Sequence, residues 1–149
     1  MFSWFFSEPL PVGSAAPDFT LPDQDGSLVT LSALRGQSVV LIFYPADETR
    51  ICRKQLCEFR DAKSQHRGVL VYGVNPGNAE SHSRFRTNQN LQFPLLIDKG
   101  QKVATIYRAN GWMVRRTVYL IGMNGIIQFA RRGTPSPHDV YSVAGIPQE

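Results

Sequence analysis

Three features of the chain predict an α/β fold with a mixed central sheet flanked by helices. Two uninterrupted apolar runs, Val39–Tyr44 and Val69–Val74, read as strands buried on both faces. Each is followed by a stretch with helical spacing, and such alternation implies parallel pairing through crossover helices. Near the end, Thr117–Ile121 and Ile126–Ala130 flank Gly122-Met123-Asn124-Gly125. The Asn-Gly pair there signals a hairpin, and hence antiparallel edge strands.

The elements follow in order. Met1–Pro11 reads as an extension whose aromatic residues Trp4, Phe5 and Phe6 would dock on the body or cover a partner. Asp18–Leu21 and Ser27–Leu31 flank Asp23-Gln24-Asp25-Gly26, an N-terminal β-hairpin, because Asp-Gly supplies the positive φ of such turns. Ser32–Arg35 is a helical turn stopped by Gly36. Val39–Tyr44 is then the central strand. Residues 50–66 form a helix with Ile51, Leu56, Phe59 and Ala62 as inward positions. A second strand over 69–74 leads to a helix over 79–89, in which Ala79, His82, Phe85 and Arg86 recur at helical spacing. Phe93–Ile97 is a third strand and Gln101–Tyr107 a short helix. After the hairpin, Pro137–Ala144 is the final helix, with Pro137 suited to its first turn.

Composition narrows the function. At 149 residues a single domain over 1–149 is expected, with 1–11 as its N-terminal extension. A 42% hydrophobic and 19% charged composition describes an ordinary globular chain. The net charge of +4 comes without a Lys/Arg-dense block interleaved with aromatics, which argues against nucleic acid as a partner. No apolar stretch approaches the roughly 20 residues that span a bilayer, so no membrane partner is expected. The first residues lack the basic region of a signal peptide, so the expected setting is the reducing cytoplasm.

The chemistry concentrates at the only two cysteines, in Pro45-Ala-Asp-Glu-Thr49-Arg-Ile-Cys52-Arg-Lys-Gln-Leu-Cys57. An ordinary cysteine is only a few per cent thiolate at neutral pH. Cys52 falls in the first turn of a helix, where unpaired amides and the helix dipole favour negative charge. Thr49, three residues earlier, is placed to cap the helix or to donate to a substrate oxygen. Pro45 rigidifies the turn and shields the thiol from bulk water. These residues leave three readings open: a nucleophile, a metal ligand, or half of a crosslink.

Spacing bears on the crosslink. Five helical residues rise about 7.5 Å and turn roughly 140°, which places the two Cα atoms about 8–9 Å apart. That exceeds the ~7 Å reach of a disulfide without backbone movement. Cys52 and Cys57 can bond only if the first turns of the helix unwind.

Pro45-x-x-x-Thr49-x-x-Cys52 resembles the active-site motif of the peroxiredoxins. Cys52-x4-Cys57-x-Phe59-Arg60-Asp61 resembles their bacterioferritin comigratory protein, or peroxiredoxin Q, branch. The likeness covers most of the chain. It includes Val12-Gly13-x-x-Ala16-Pro17-Asp18-Phe19, Glu80-Ser81-His82-x-x-Phe85, Leu91-x-Phe93-Pro94-Leu95-Leu96-x-Asp98 and Arg116-Thr-Val-Tyr-Leu-Ile.

The resemblance implies a thioredoxin-like fold and a thiol peroxidase acting on hydrogen peroxide and organic hydroperoxides. Cys52 would attack the peroxide and become sulfenic acid. Thr49 and Arg116 would hydrogen-bond the peroxide oxygens, and Pro45 would pack over the thiolate. Cys57 would resolve the sulfenic acid to an intramolecular disulfide, reduced in turn by a thioredoxin or glutaredoxin-type dithiol protein. No cofactor or metal is implied. A monomer is expected from an intrachain resolving cysteine, and the aromatic tail is the feature that would serve a dimer. Three positions depart from the pattern: Arg50-Ile51 replaces Pro-Gly, Arg53-Lys54 is more basic than usual, and Gln55 stands where glutamate is frequent.

Rival readings are weaker. A thiol–disulfide oxidoreductase normally carries Cys-x-x-Cys. A redox-sensing or metal-carrying module needs three or four converging ligands, whereas His66, His82 and His138 are scattered and read as surface or packing residues. Arg115 and Arg116 point to opposite faces if both lie in a strand. Arg116 is the one the resemblance turns toward Cys52, with Arg115, Arg108, Arg131 and Arg132 left as solvated charges.

Overall fold

In the computed structural model, residues 8–63 and 68–143 are described. A two-stranded antiparallel ribbon, β1 (Thr20–Pro22) and β2 (Leu28–Thr30), opens the fold. Its turn is closed by Asp23, whose Oδ1 accepts from the backbone N–H of Asp25 and Ser27. Gly26 supplies the positive φ of 85° that the turn requires. A 3-10 turn over Leu31–Leu34 leads into β3 (Ser38–Phe43).

From there the chain runs α1 (Arg50–Lys63), β4 (Val69–Asn75), α2 (Ala79–Gln89), β5 (Leu95–Ile97), α3 (Lys102–Ile106), β6 (Thr117–Ile121), β7 (Ile127–Arg132) and α4 (Pro137–Val143). The five later strands form one sheet in the order β5-β4-β3-β6-β7. β3, β4 and β5 are parallel, joined by the crossover helices α1 and α2, while β6 pairs antiparallel with both β3 and β7. Only β7 is therefore an edge strand of the closing hairpin. β6 was expected at the edge as well, but it lies inside the sheet, because it is as apolar as β3 and buried throughout.

Strand alternation divides the core into two layers. Val39, Leu41 and Phe43 of β3 face a cluster with Phe19, Tyr107 and Tyr119. Val40, Ile42 and the following Tyr44 face the other, made with Cys52, Leu56 and Phe59 of α1, Phe85 of α2 and Tyr141 of α4. Phe59 and Tyr141 meet edge to face at 6.2 Å, which ties the later turns of α1 to α4.

The inward face of α1 differs from expectation at one position. Ile51 is 57% exposed, while Cys52 and Gln55 are buried. Counting back four residues from Phe59 and from Leu56 reaches 55 and 52, so the helical period selects a thiol and an amide over the neighbouring isoleucine. Trp4, Phe5, Phe6, His66 and Ala144 lie outside the described residues.

Candidate active site

β3 ends at Phe43, and the chain passes through Tyr44 and the segment Pro45–Thr49 before α1 begins at Arg50. This places Cys52 in the first turn of α1, with no solvent-exposed surface, inside the layer that packs on the sheet. Both cysteines are free thiols, and both lie on one uninterrupted helix. Cys57 is half-buried, and its Sγ approaches Gln89 Oε1 at the end of α2 at 3.6 Å. Arg60, one turn further along, donates to the Gln89 carbonyl at 2.7 Å.

Arg116 comes from the residue just before β6. Its Nη2 lies 2.9 Å from Cys52 Sγ, and its Nη1 donates to Gln55 Oε1 at 3.1 Å. A guanidinium at that distance aims a charged donor at the sulfur, in reach of any negative charge that develops there. The fork is held in place from both ends. Gln55 Nε2 approaches the Gly133 carbonyl at 3.4 Å, and Gly133 N–H donates to the Arg116 carbonyl at 2.8 Å. Gln55 and Cys52 sit three residues apart on one face of α1, so a single planar fork reaches both. The amide that departs from the usual glutamate still accepts from Arg116.

Thr49 occupies the position before the helix, exposed, with its carbonyl accepting from Arg53 N–H at 2.8 Å. Its hydroxyl makes no hydrogen bond to a described residue, which leaves it available to a ligand. Pro45 is half-buried in the same segment. Of the expected site residues, the fold thus brings Cys52 and Arg116 into contact. It places Pro45 and Thr49 in the segment leading to Cys52, and keeps Cys57 apart from Cys52 on the helix.

Two expectations about polar residues need correction. Arg115 is not a solvated charge: it is half-buried and donates to the carbonyls of Arg108 and Asn110, because β6 begins only at Thr117 and the preceding loop folds back on itself. Arg132 likewise donates to Thr117 Oγ1 at 2.8 Å. Among the described residues, no three His, Cys, Asp or Glu side chains converge as a metal site.

The site contains a group that the motif alone does not reveal. The Asp47 side chain, 4% exposed, accepts at Oδ1 from Tyr44 Oη (2.7 Å) and Asn75 Nδ2 (3.1 Å). At Oδ2 it meets Ser81 Oγ (2.6 Å) and His82 Nδ1 (2.6 Å). Burial pushes the Asp47 carboxyl up, but the bonds from His82, Ser81 and Tyr44 outweigh it and hold the group below its ordinary value. The Tyr44 phenol is pushed well up, first by burial, then by the Asp47 charge and hydrogen bond, and further by the charge of Cys52. Tyr44 therefore lies within electrostatic reach of both Asp47 and Cys52.

The family model described as AhpC/TSA family matches residues 12–130. Peroxiredoxin Q, chloroplastic, of Oryza sativa subsp. japonica is 44% identical over 123 residues, which cover 78% of this chain. The chain spans 57% of the length of that rice protein. The putative peroxiredoxin bcp of Coxiella burnetii is 39% identical over 132 residues, covering 79% of this chain and 85% of the relative. Among solved structures, peroxidoxin BcpB from Mycobacterium tuberculosis superposes with a TM-score of 0.78 at 29% identity, covering 84% of this chain and 87% of its own. PrxQ of Xylella fastidiosa gives a TM-score of 0.80 at 24% identity, over 91% and 93% of the two chains, a likeness of fold. The thioredoxin-like arrangement expected from the sequence is thus the one this chain adopts. Matched by the family model over most of its length, and by a bcp relative over most of that relative's own, the chain belongs to the AhpC/TSA family, beside the proteins named peroxiredoxin Q and bcp.

Proposed function

We propose that this chain is a thiol-dependent peroxidase with Cys52 as the peroxidatic cysteine and Cys57 as the resolving one. The observation that carries the reading is the Arg116 guanidinium at 2.9 Å from a buried thiol in the first turn of a helix. The Cys52 thiolate attacks one peroxide oxygen along the O–O axis. The S–O bond forms as the O–O bond breaks, giving Cys52 sulfenic acid and a leaving hydroxide or alkoxide that departs as water or alcohol. Arg116 stabilises the charge that spreads over the oxygens, and Thr49 donates to them from the other side. Pro45 shields the thiolate.

Cys57 then attacks the sulfenic sulfur, and water leaves as the Cys52–Cys57 disulfide forms. A separate dithiol protein of the thioredoxin or glutaredoxin type returns both thiols and becomes oxidised in exchange. The thiols carry the two-electron change themselves, and hydrogen peroxide and organic hydroperoxides both offer the O–O bond it needs. A single domain acting as a monomer suffices, since both cysteines lie on one helix. Two free thiols fit the reducing cytoplasm, and the chloroplastic setting belongs to the rice relative. No helix among the described residues is long and apolar enough to cross a membrane.

Peroxide consumption driven by a thioredoxin system tests the division of labour. Cys57→Ser is expected to react with one equivalent of peroxide and then stall, while small thiols that reach the sulfenic acid directly keep it turning over. Undiminished turnover of Cys57→Ser with the dithiol protein would remove Cys57 from the cycle.

A further inference from the structure

The geometry points to Asp47 and His82 as a positioning pair: a buried carboxylate–histidine clamp that fixes the Pro45–Thr49 segment against α2 and so sets Pro45 and Thr49 relative to Cys52. This rests on the peroxidase reading for what the segment does, but the clamp itself stands on separate observations.

His82 has no exposed surface, and both ring nitrogens face acceptors. Nε2 lies 3.0 Å from the Leu96 carbonyl, which can only accept, and Nδ1 lies 2.6 Å from Asp47 Oδ2. Both ring nitrogens are therefore engaged, and the ring is held in one orientation. The pair is sealed by backbone: a Cβ at Gly77 would stand 3.2 Å from Asp47 Oδ2 and 3.1 Å from His82 Cε1. Asp47 thereby ties its segment to Tyr44, the residue that follows β3, to β4 through Asn75 and to α2 through Ser81 and His82.

The neighbouring residue shows why a clamp is needed. Glu48 takes φ 61°, a left-handed conformation that costs a non-glycine residue energy and persists only where its surroundings over-determine it. Its carboxylate is held at 2.8 Å by Asn88 Nδ2, again on α2. Two consecutive carboxylates thus pin a strained segment to one helix, immediately before the reactive turn. Tyr44, bonded to Asp47 and within reach of the Cys52 charge, links the clamp to the thiol.

The test compares the reduced wild type with Asp47→Asn and with the double variant Asp47→Asn/His82→Gln, which buries no unpaired charge. In the wild type, amide exchange over 45–49 should be slow, and fast exchange there would overturn the clamp. Asp47→Asn should raise amide exchange over 45–49 and slow oxidation of Cys52 by about 10–100-fold, the scale of a small misplacement of reacting groups. The double variant should recover part of that rate, because two amides can bond each other. Should Asp47→Asn fail to fold, the double variant still decides: exchange over 45–49 faster than in the wild type supports the clamp, and wild-type protection overturns it. If peroxide fails to oxidise Cys52 even in the wild type, the peroxidase reading falls, while the exchange results still judge the clamp.

Discussion

Cys52→Ser is expected to lose peroxide consumption to the uncatalysed background, a drop on the order of 10⁶-fold if the wild type works at the lower end of enzymatic acceleration. The loss is chemical and not structural. A serine hydroxyl fits the space of the thiol and still accepts from Arg116 Nη2, so no donor is stranded and the core around it keeps its packing. What disappears is the polarisable sulfur nucleophile. The measurement is peroxide loss with and without a dithiol reductant, alongside thermal unfolding to show the fold intact. Retained turnover in Cys52→Ser would move the chemistry elsewhere in the chain.

The second large effect is expected at Arg116. Arg116→Lys keeps the positive charge but loses the planar fork, and a single ammonium cannot serve Gln55 Oε1 and Cys52 Sγ in the same geometry. Losing one preorganised donor at a developing charge costs about 10²–10³ in rate. The fall should appear in the rate of Cys52 oxidation at saturating peroxide, because the interaction strengthens as charge develops. Reduction of an already formed disulfide should be much less affected. A variant slowed equally in both half-reactions would mean that Arg116 serves the fold and not the peroxide step. Gln55, bonded to Arg116 and leaning on Gly133, is the support on which this prediction depends.

Most of the fold was legible because local signals agreed with the global answer. Val39–Tyr44 is apolar at every position, and it is the centre of the sheet. The second helix begins after Asn78, which caps it by accepting from Ser81 N–H, and ends at Asn90 in a left-handed conformation, so its limits follow from chemistry in the sequence. At α1 that agreement fails at one position. Residue type alone favours Ile51 as the inward residue, but the helical register set by Leu56 and Phe59 turns Cys52 inward. The exception falls at the reactive residue.

The site was legible where motif and spacing spoke together, and hidden where it depended on tertiary contact. Arg116 was reached through the resemblance, although the reasoning from strand alternation did not apply: neither arginine lies in β6. Asp47 carried no periodicity and no pairing signal, since its partners are Tyr44 just after β3 and residues of β4 and α2, up to 35 positions away. His82 read as a scattered histidine for the same reason. Only its place on a helix face with Phe85 hinted that it points inward, and no pattern in the chain announces a partner across a crossover.

In the proposed cycle one helix must be folded for Cys52 to react and opened for Cys57 to reach it. In the reduced protein α1 is continuous through both cysteines, and Phe59 secures its later part against Tyr141. Moving Leu56 fully out of the core would cost about 1.5–3 kcal/mol, so the proposed disulfide would form against resistance and stay open to reduction. The direct measurement is amide exchange over residues 50–58 before and after one equivalent of peroxide, with peptide mapping of the thiols. A Cys52–Cys57 disulfide with protection lost over 50–58, and kept beyond Phe59, is the expected result. Equal protection in the two states, or peroxide consumed without that disulfide, would contradict it.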